Sequence, residues 1–208
     1  MQKELKVQIP APNIQMMKVR IKGTAPLIFH KWTEKAKKQI LDKQLKKAQR
    51  GHDIRKPEEE YVDSFYYDSE DRVAFPALSI KLAMVNAVRN VEGTTMTLIK
   101  GAVFVVGDKD GFIPVLNGGK EITRKEVIKN KDKWLREDMV RVGMGSADLR
   151  FRGQLAEWEM EFIMKFNGDI LSPEQVMNLL QIAGFACGLG EWRTERNGNF
   201  GSFEIATK

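Results

Sequence analysis

Positions 188–203 hold the residue types best suited to grip a polyanion: Gly188-Leu-Gly190-Glu-Trp192-Arg193-Thr-Glu-Arg196-Asn-Gly198-Asn-Phe200-Gly201-Ser-Phe203. Glycines such as Gly188, Gly190 and Gly198 let a polyanion approach main-chain N–H groups. Arg193 and Arg196 add planar, forked donors that match phosphate. Trp192 and Phe200 offer faces on which a base stacks. A mobile surface turn has the same glycine content, so the position of the loop in the fold decides between the two. A second set lies upstream. Positions 31–56 contain ten Lys/Arg, Lys37 and Lys38 among them, against Glu34, Asp42 and Asp53, so this one segment outweighs the whole chain's formal charge of +6. Concentrated cations suit a nucleic-acid backbone, whose counterions they displace. A solvated basic helix without a specific partner has the same composition.

Two further charge patterns stand on extended segments. Lys18, Arg20 and Lys22 alternate with Met17, Val19 and Ile21. Glu157, Glu159 and Glu161 alternate with Trp158, Met160 and Phe162. If the two strands are neighbours, these charges neutralise each other; if not, the cations face a phosphate chain. Arg141, Arg150 and Arg152 flank the bend Gly143-Met-Gly-Ser146, where they contact phosphate or pair with Glu137 and Asp138.

Several chemistries are excluded. Gly188-Leu-Gly190 is not followed by Gly-Lys-Ser/Thr, so it is no Walker loop, and Arg193 occupies the third glycine position of a dinucleotide fingerprint. No Gly-x-Ser-x-Gly elbow occurs. Cys187 is the single cysteine, which precludes an internal disulfide, and His30 and His52 are too few to complete a Cys/His zinc site. No apolar run approaches the ~18 residues of a membrane span. Neither a metal nor a cofactor is expected, and no membrane association. With 42% apolar and 30% charged residues the chain has material for a core. We expect one domain over 1–208, cytoplasmic in location.

The elements that position these groups follow from periodicity. Alternation predicts a strand over 16–23. Thr33 caps a helix from 34 to about 49, with a polar loop over 51–60. The stretch 31–75 reads as a basic helical insertion. Pro76 opens a helix over 77–91. Residues 98–106 read as a buried strand, turning at 107–111 into a hairpin, and 117–138 as charged loop. A strand spans 155–166. Ser172-Pro-Glu-Gln175 is a capping box before a helix over 173–186, and 202–206 is a last strand. Without the insertion the order is β-α-β-β-α-β, an α+β ferredoxin-like or RRM-like antiparallel sheet.

A glycine-rich loop between the second helix and last strand of that order resembles the RAMP superfamily of CRISPR-associated proteins, above all its Cas7-like backbone subunits. The resemblance is specific over about 173–206 and topological elsewhere. It implies a modified RRM fold with basic insertions that coats single-stranded RNA as a filament. The chain is also similar to small phage-encoded proteins at Gly190-Glu-Trp-Arg193, Phe200-Gly-Ser-Phe203, Glu137-Asp-Met-Val-Arg-Val142 and Ala147-Asp-Leu-Arg-Phe-Arg152. The resemblance implies a non-catalytic binder of single-stranded DNA or RNA, assembling as a homo-oligomer or filament, in a Cas7-like, phage replication or recombination role. If it is phage-encoded, it works in the bacterial host's cytoplasm. Its contacts would come from Lys18, Arg20, Lys22, Lys37, Lys38, Arg141, Arg150, Arg152, Trp192, Arg193, Arg196 and Phe200, with Gly188, Gly190 and Gly198 at the backbone. No aspartate matches a backbone-cleaving residue. Two alternatives stand beside this: a RAMP-type endoribonuclease with His30 as general base, and a phage structural or interaction protein whose basic helix meets another protein.

Overall fold

Met17, Val19 and Ile21 alternate with three cations, and this period of two makes Ile14–Gly23 the first strand, β1, burying Val19 and Ile21. The computed structural model describes residues 9–32, 34–45, 55–142 and 145–206. After β1 come β2 (Leu27–Ile28), α1 (Glu34–Gln44), α2 (Pro57–Asp63), β3 (Tyr66–Tyr67), β4 (Val73–Pro76) and α3 (Ala77–Ala87). Next are α4 (Met96–Ala102), β5 (Val103–Val106), β6 (Phe112–Asn117), β7 (Lys120–Glu121), α5 (Arg124–Lys129) and α6 (Lys131–Trp134). The last elements are β8 (Leu135–Val142), β9 (Ser146–Leu155), β10 (Glu159–Asn167), α7 (Pro173–Ala186) and β11 (Phe203–Ile205). The fold is α+β with a mostly antiparallel main sheet.

That sheet runs β11-β1-β10-β6-β4-β3, with β5 also on β10 and β7 on β6. β1 and β10 pair from Ile14↔Asn167 to Lys22↔Glu159. One face of this pair buries Val19, Ile21, Met160, Phe162, Met164 and Phe166. They share one core with Ile80, Ala83 and Met84 of α3 and with Val176, Leu179, Leu180 and Ala183 of α7. The predicted capping box of α7 forms: the Ser172 hydroxyl accepts from the Gln175 N–H at 3.2 Å, and the Gln175 side chain accepts from the Ser172 N–H at 2.8 Å. The opposite face of β1 and β10 is exposed. A separate three-stranded sheet, β2-β9-β8, carries a long hairpin with register Leu135↔Gly153 to Val142↔Ser146.

The structure differs from the sequence expectation in several places. Residues 96–102 are helix α4, capped by Thr95 accepting from the Leu98 N–H, and only 103–106 are strand. The Gly107–Gly111 turn does not make a hairpin. β5 and β6 both run antiparallel to β10 along one edge, at Val103–Val106 and Val115–Leu116, so the chain bulges and continues in the same direction. Residues 117–138 are not loop: Thr123 and Glu126 close a capping box on α5, and β8 begins at Leu135. The strand expected over 155–166 is β10, which starts later, at Glu159, while Leu155 is the last residue of β9. Pro57 starts helix α2 inside the stretch read as a loop.

The stretch expected as an insertion, 31–75, divides. The side chains of α1 that are described are mostly exposed, whereas Tyr61 and Phe65 are buried beside Phe29, with the Phe29 and Phe65 ring centroids 4.6 Å apart. The Thr33 cap and the helix end beyond 45 lie outside the described residues.

Candidate nucleic-acid interface

The loop after α7 is seated on β2 by its backbone. The Gly188 N–H donates to the Ala183 carbonyl at 2.9 Å, ending the helix. Gly190 lies so close to β2 that a Cβ would stand 2.4 Å from the Ile28 carbonyl oxygen. The next N–H, that of Glu191, donates to that same oxygen at 3.0 Å. Gly198 donates to the Arg193 carbonyl at 3.1 Å, so the amides of Gly188 and Gly198 are engaged within the fold. Between these anchors Trp192 is held at φ 52° with its side chain outward, 42% exposed. A bulky residue in the left-handed region is uncommon, and such strain persists where the surroundings fix a side chain's direction.

A chain of charges supports the loop from below. The His30 Nδ1 meets a Glu191 carboxylate oxygen at 3.0 Å. The other Glu191 oxygen lies 3.9 Å from the buried guanidinium of Arg152, which also stands 3.5 Å from Asp138. Asp138 accepts from Arg136 Nε at 2.8 and 2.9 Å, and the Arg136 guanidinium lies 4.7 Å from the Phe200 ring centroid. Above this chain a cleft of about 370 Å³ opens between α3 and the loop, with His30, Tyr66, Ser79, Asn86, Glu191 and Arg196 on its walls.

The hydrogen bond to His30 is the largest of the causes holding the Glu191 carboxyl below its usual range, against the opposing effect of burial. Burial, with Glu191 nearby, pushes the Tyr66 hydroxyl up. Because the folded value for Glu191 is depressed, its contribution to stability is present above the ordinary carboxylate range and fades as pH falls below it. In a His30→Ala variant the Glu191 carboxyl, followed by carbon NMR, should titrate closer to the ordinary 4.5. An unmoved midpoint would mean that the His30–Glu191 pair is not formed.

The structure scatters the residues expected to bind. Lys18 pairs with Glu161 at 2.6 Å and Arg20 with Glu159, so the two charge stripes do neutralise one another. Lys22 has no ion pair among the described residues. These three lie on the sheet face opposite the helices, away from the cleft. Arg193 is folded inward, bonding Glu195 and the Gly190 carbonyl at 3.2 Å each. Phe200 is covered by Arg136 rather than open to a base. Arg152 is buried, and Arg150 binds Asp148 at 3.0 Å. Arg141 is exposed on the hairpin, and Lys37 and Lys38 are exposed on α1. Arg196 and Trp192 remain available, and Arg196 lines the cleft.

Sequence reasoning missed Trp32, 60% exposed and two residues beyond His30. It also missed Ser79 and Asn86, which interrupt the apolar run of α3 at a spacing of seven and so share one helix face. That interruption is the signal that could have found them. No protein-family model matches the chain, and no curated protein matches it. Among the described residues no group of three His, Cys, Asp or Glu could hold a metal ion, and no helix is long and apolar enough to cross a membrane.

Proposed function

We propose that the chain is a non-catalytic binder of single-stranded nucleic acid that uses the glycine-rich loop rather than the open sheet face. The observation that carries this is the exposure of two indoles, Trp32 and Trp192, on segments joined by the His30–Glu191 bond, with the guanidinium of Arg196, unpaired among the described residues, on the loop of Trp192. Stacking platforms beside unpaired cations bind strands with little dependence on sequence. The open face has one exposed aromatic residue near its edge, Phe104 of β5 opposite Lys165, but β1 and β10 themselves add none there, and two of their cations are already neutralised.

The ferredoxin-like reading belongs to the same proposal. With β1, α3, β5, β10, α7 and β11 taken as the frame, the pairing of these strands as β11-β1-β10-β5 supports a ferredoxin-like reading. This supports a RAMP or RRM kinship with added elements. Assembly along the strand would use the hairpin's exposed Met139 and Leu149 against a neighbouring subunit.

Fluorescence anisotropy with labelled DNA and RNA strands across a salt series tests the proposal. Arg196→Ala should weaken binding of all strands alike and reduce the salt slope by about one. Absence of salt-dependent binding in the wild type would leave the interaction-protein alternative. Recovered strands should be uncut. Cleavage that disappears in His30→Ala would instead make His30, already oriented by Glu191, the base of an endoribonuclease.

A further inference from the structure

The cleft beside the loop has polar groups that the fold does not use. Ser79 and Asn86 stand seven residues apart on the face of α3 that lines it, and neither side chain has a hydrogen-bond partner among the described residues. The Tyr66 hydroxyl is likewise unpartnered there, although its ring is packed at 5.8 Å on Phe75 and 6.0 Å on Phe112. Leu82, Ala83 and Leu189 supply apolar wall between these groups. At about 370 Å³ the space is near the lower end of small-molecule pockets. A cleft of this size, mostly polar but with some apolar wall and unused hydrogen-bonding groups, can take one heterocycle.

The charges select further. Glu191 and Glu195 both line the cleft, each carboxyl held in place by a neighbour: the His30 imidazole for the first, the Arg193 guanidinium for the second. Carboxylates accept from an exocyclic amino group and repel a carbonyl, while a carboxamide such as that of Asn86 bonds both partners of an amino–ring-nitrogen edge. Arg196 is placed at the same cleft to meet the phosphate that follows the base.

We infer that the cleft takes one nucleobase of the bound strand and favours bases with an exocyclic amino group. This rests on the single-strand reading above. The test compares oligodeoxycytidine with oligodeoxyuridine of equal length, which differ at the base edge alone, by anisotropy at one salt concentration. The wild type should bind the cytidine strand about tenfold tighter. Asn86→Ala should reduce that ratio while leaving the salt slope in place. Ser79→Ala, a smaller change on the same face, should reduce it, and this second variant keeps the test open if the first fails to fold. Equal affinities in the wild type, or a ratio that survives both variants, overturns the base pocket and leaves strand binding intact. Failure to bind either strand removes both the pocket and the reading beneath it.

Discussion

A Gly201→Ala variant will melt about 10 °C below the wild type, a loss of about 3 kcal/mol. Gly201 sits at φ 69°, and a Cβ there would stand 1.7 Å from the Leu189 carbonyl oxygen. Nothing flexible can yield, because both atoms belong to the backbone that seats the loop. The Gly201 N–H donates to Pro26 at 2.8 Å and its carbonyl accepts from Leu189 at 2.9 Å. Any shift that relieves the contact breaks these bonds and lifts residues 188–201 off β2. Gly93→Ala separates the two causes. Gly93 has φ 79° but open space where its Cβ would lie, so it suffers backbone strain alone, about 1 kcal/mol. Equal thermal losses in the two variants would show that the close contact contributes nothing.

Asp138→Ala is the second large effect, about 3 kcal/mol in urea unfolding at neutral pH. Its side chain is 13% exposed and that of Arg152 is 7%. Arg152 Nη1 has no hydrogen bond among the described residues, where the guanidinium has Asp138 at 3.5 Å and Glu191 at 3.9 Å as its compensating charge. Removing Asp138 leaves a buried cation facing a carboxylate already bound to His30. Arg136 loses the same partner but is more exposed and retains Gln154 at 2.8 Å. Adding Arg152→Leu should therefore recover most of the loss, because an apolar side chain carries no desolvation cost. Strict additivity of the two single changes would sink this account.

These sites show what a sequence does and does not reveal. α7 is legible because its signals are local: a capping box, a proline at the first turn, and Val176, Leu179, Leu180 and Ala183 at helical spacing. β10 is legible because four buried apolar residues alternate without a break. α5 has the same cap chemistry, Thr123 with Glu126, but it buries only Val127 and is hidden among charges. α4 reads as strand because its apolar residues run straight into Val103–Val106, and the Thr95 cap before it is the local sign of a helix. The glycine-rich loop stands out by composition. Its cleft does not, since the walls come from positions near 30, 66, 79–86 and 188–196, which meet only after the sheet has formed. The roles of Arg193 and Phe200 invert for the same reason: acceptors and a covering guanidinium arrive from residues that no local pattern associates with them.

The register of β1 sets the timetable of biosynthesis. This strand leaves the ribosome well before both of its neighbours, β10 and β11, which are encoded far downstream; Arg20 waits for Glu159 across 139 positions. Until then Val19 and Ile21 belong to an unpaired, sticky ribbon whose edges are open on both sides. Closing so long a loop is slow, and a nascent chain in that condition is a natural client for chaperones. The same dependence makes completion all-or-none at the sheet's centre: a transcript truncated ahead of β10 yields a product that has made its central strand and has nothing to lay beside it.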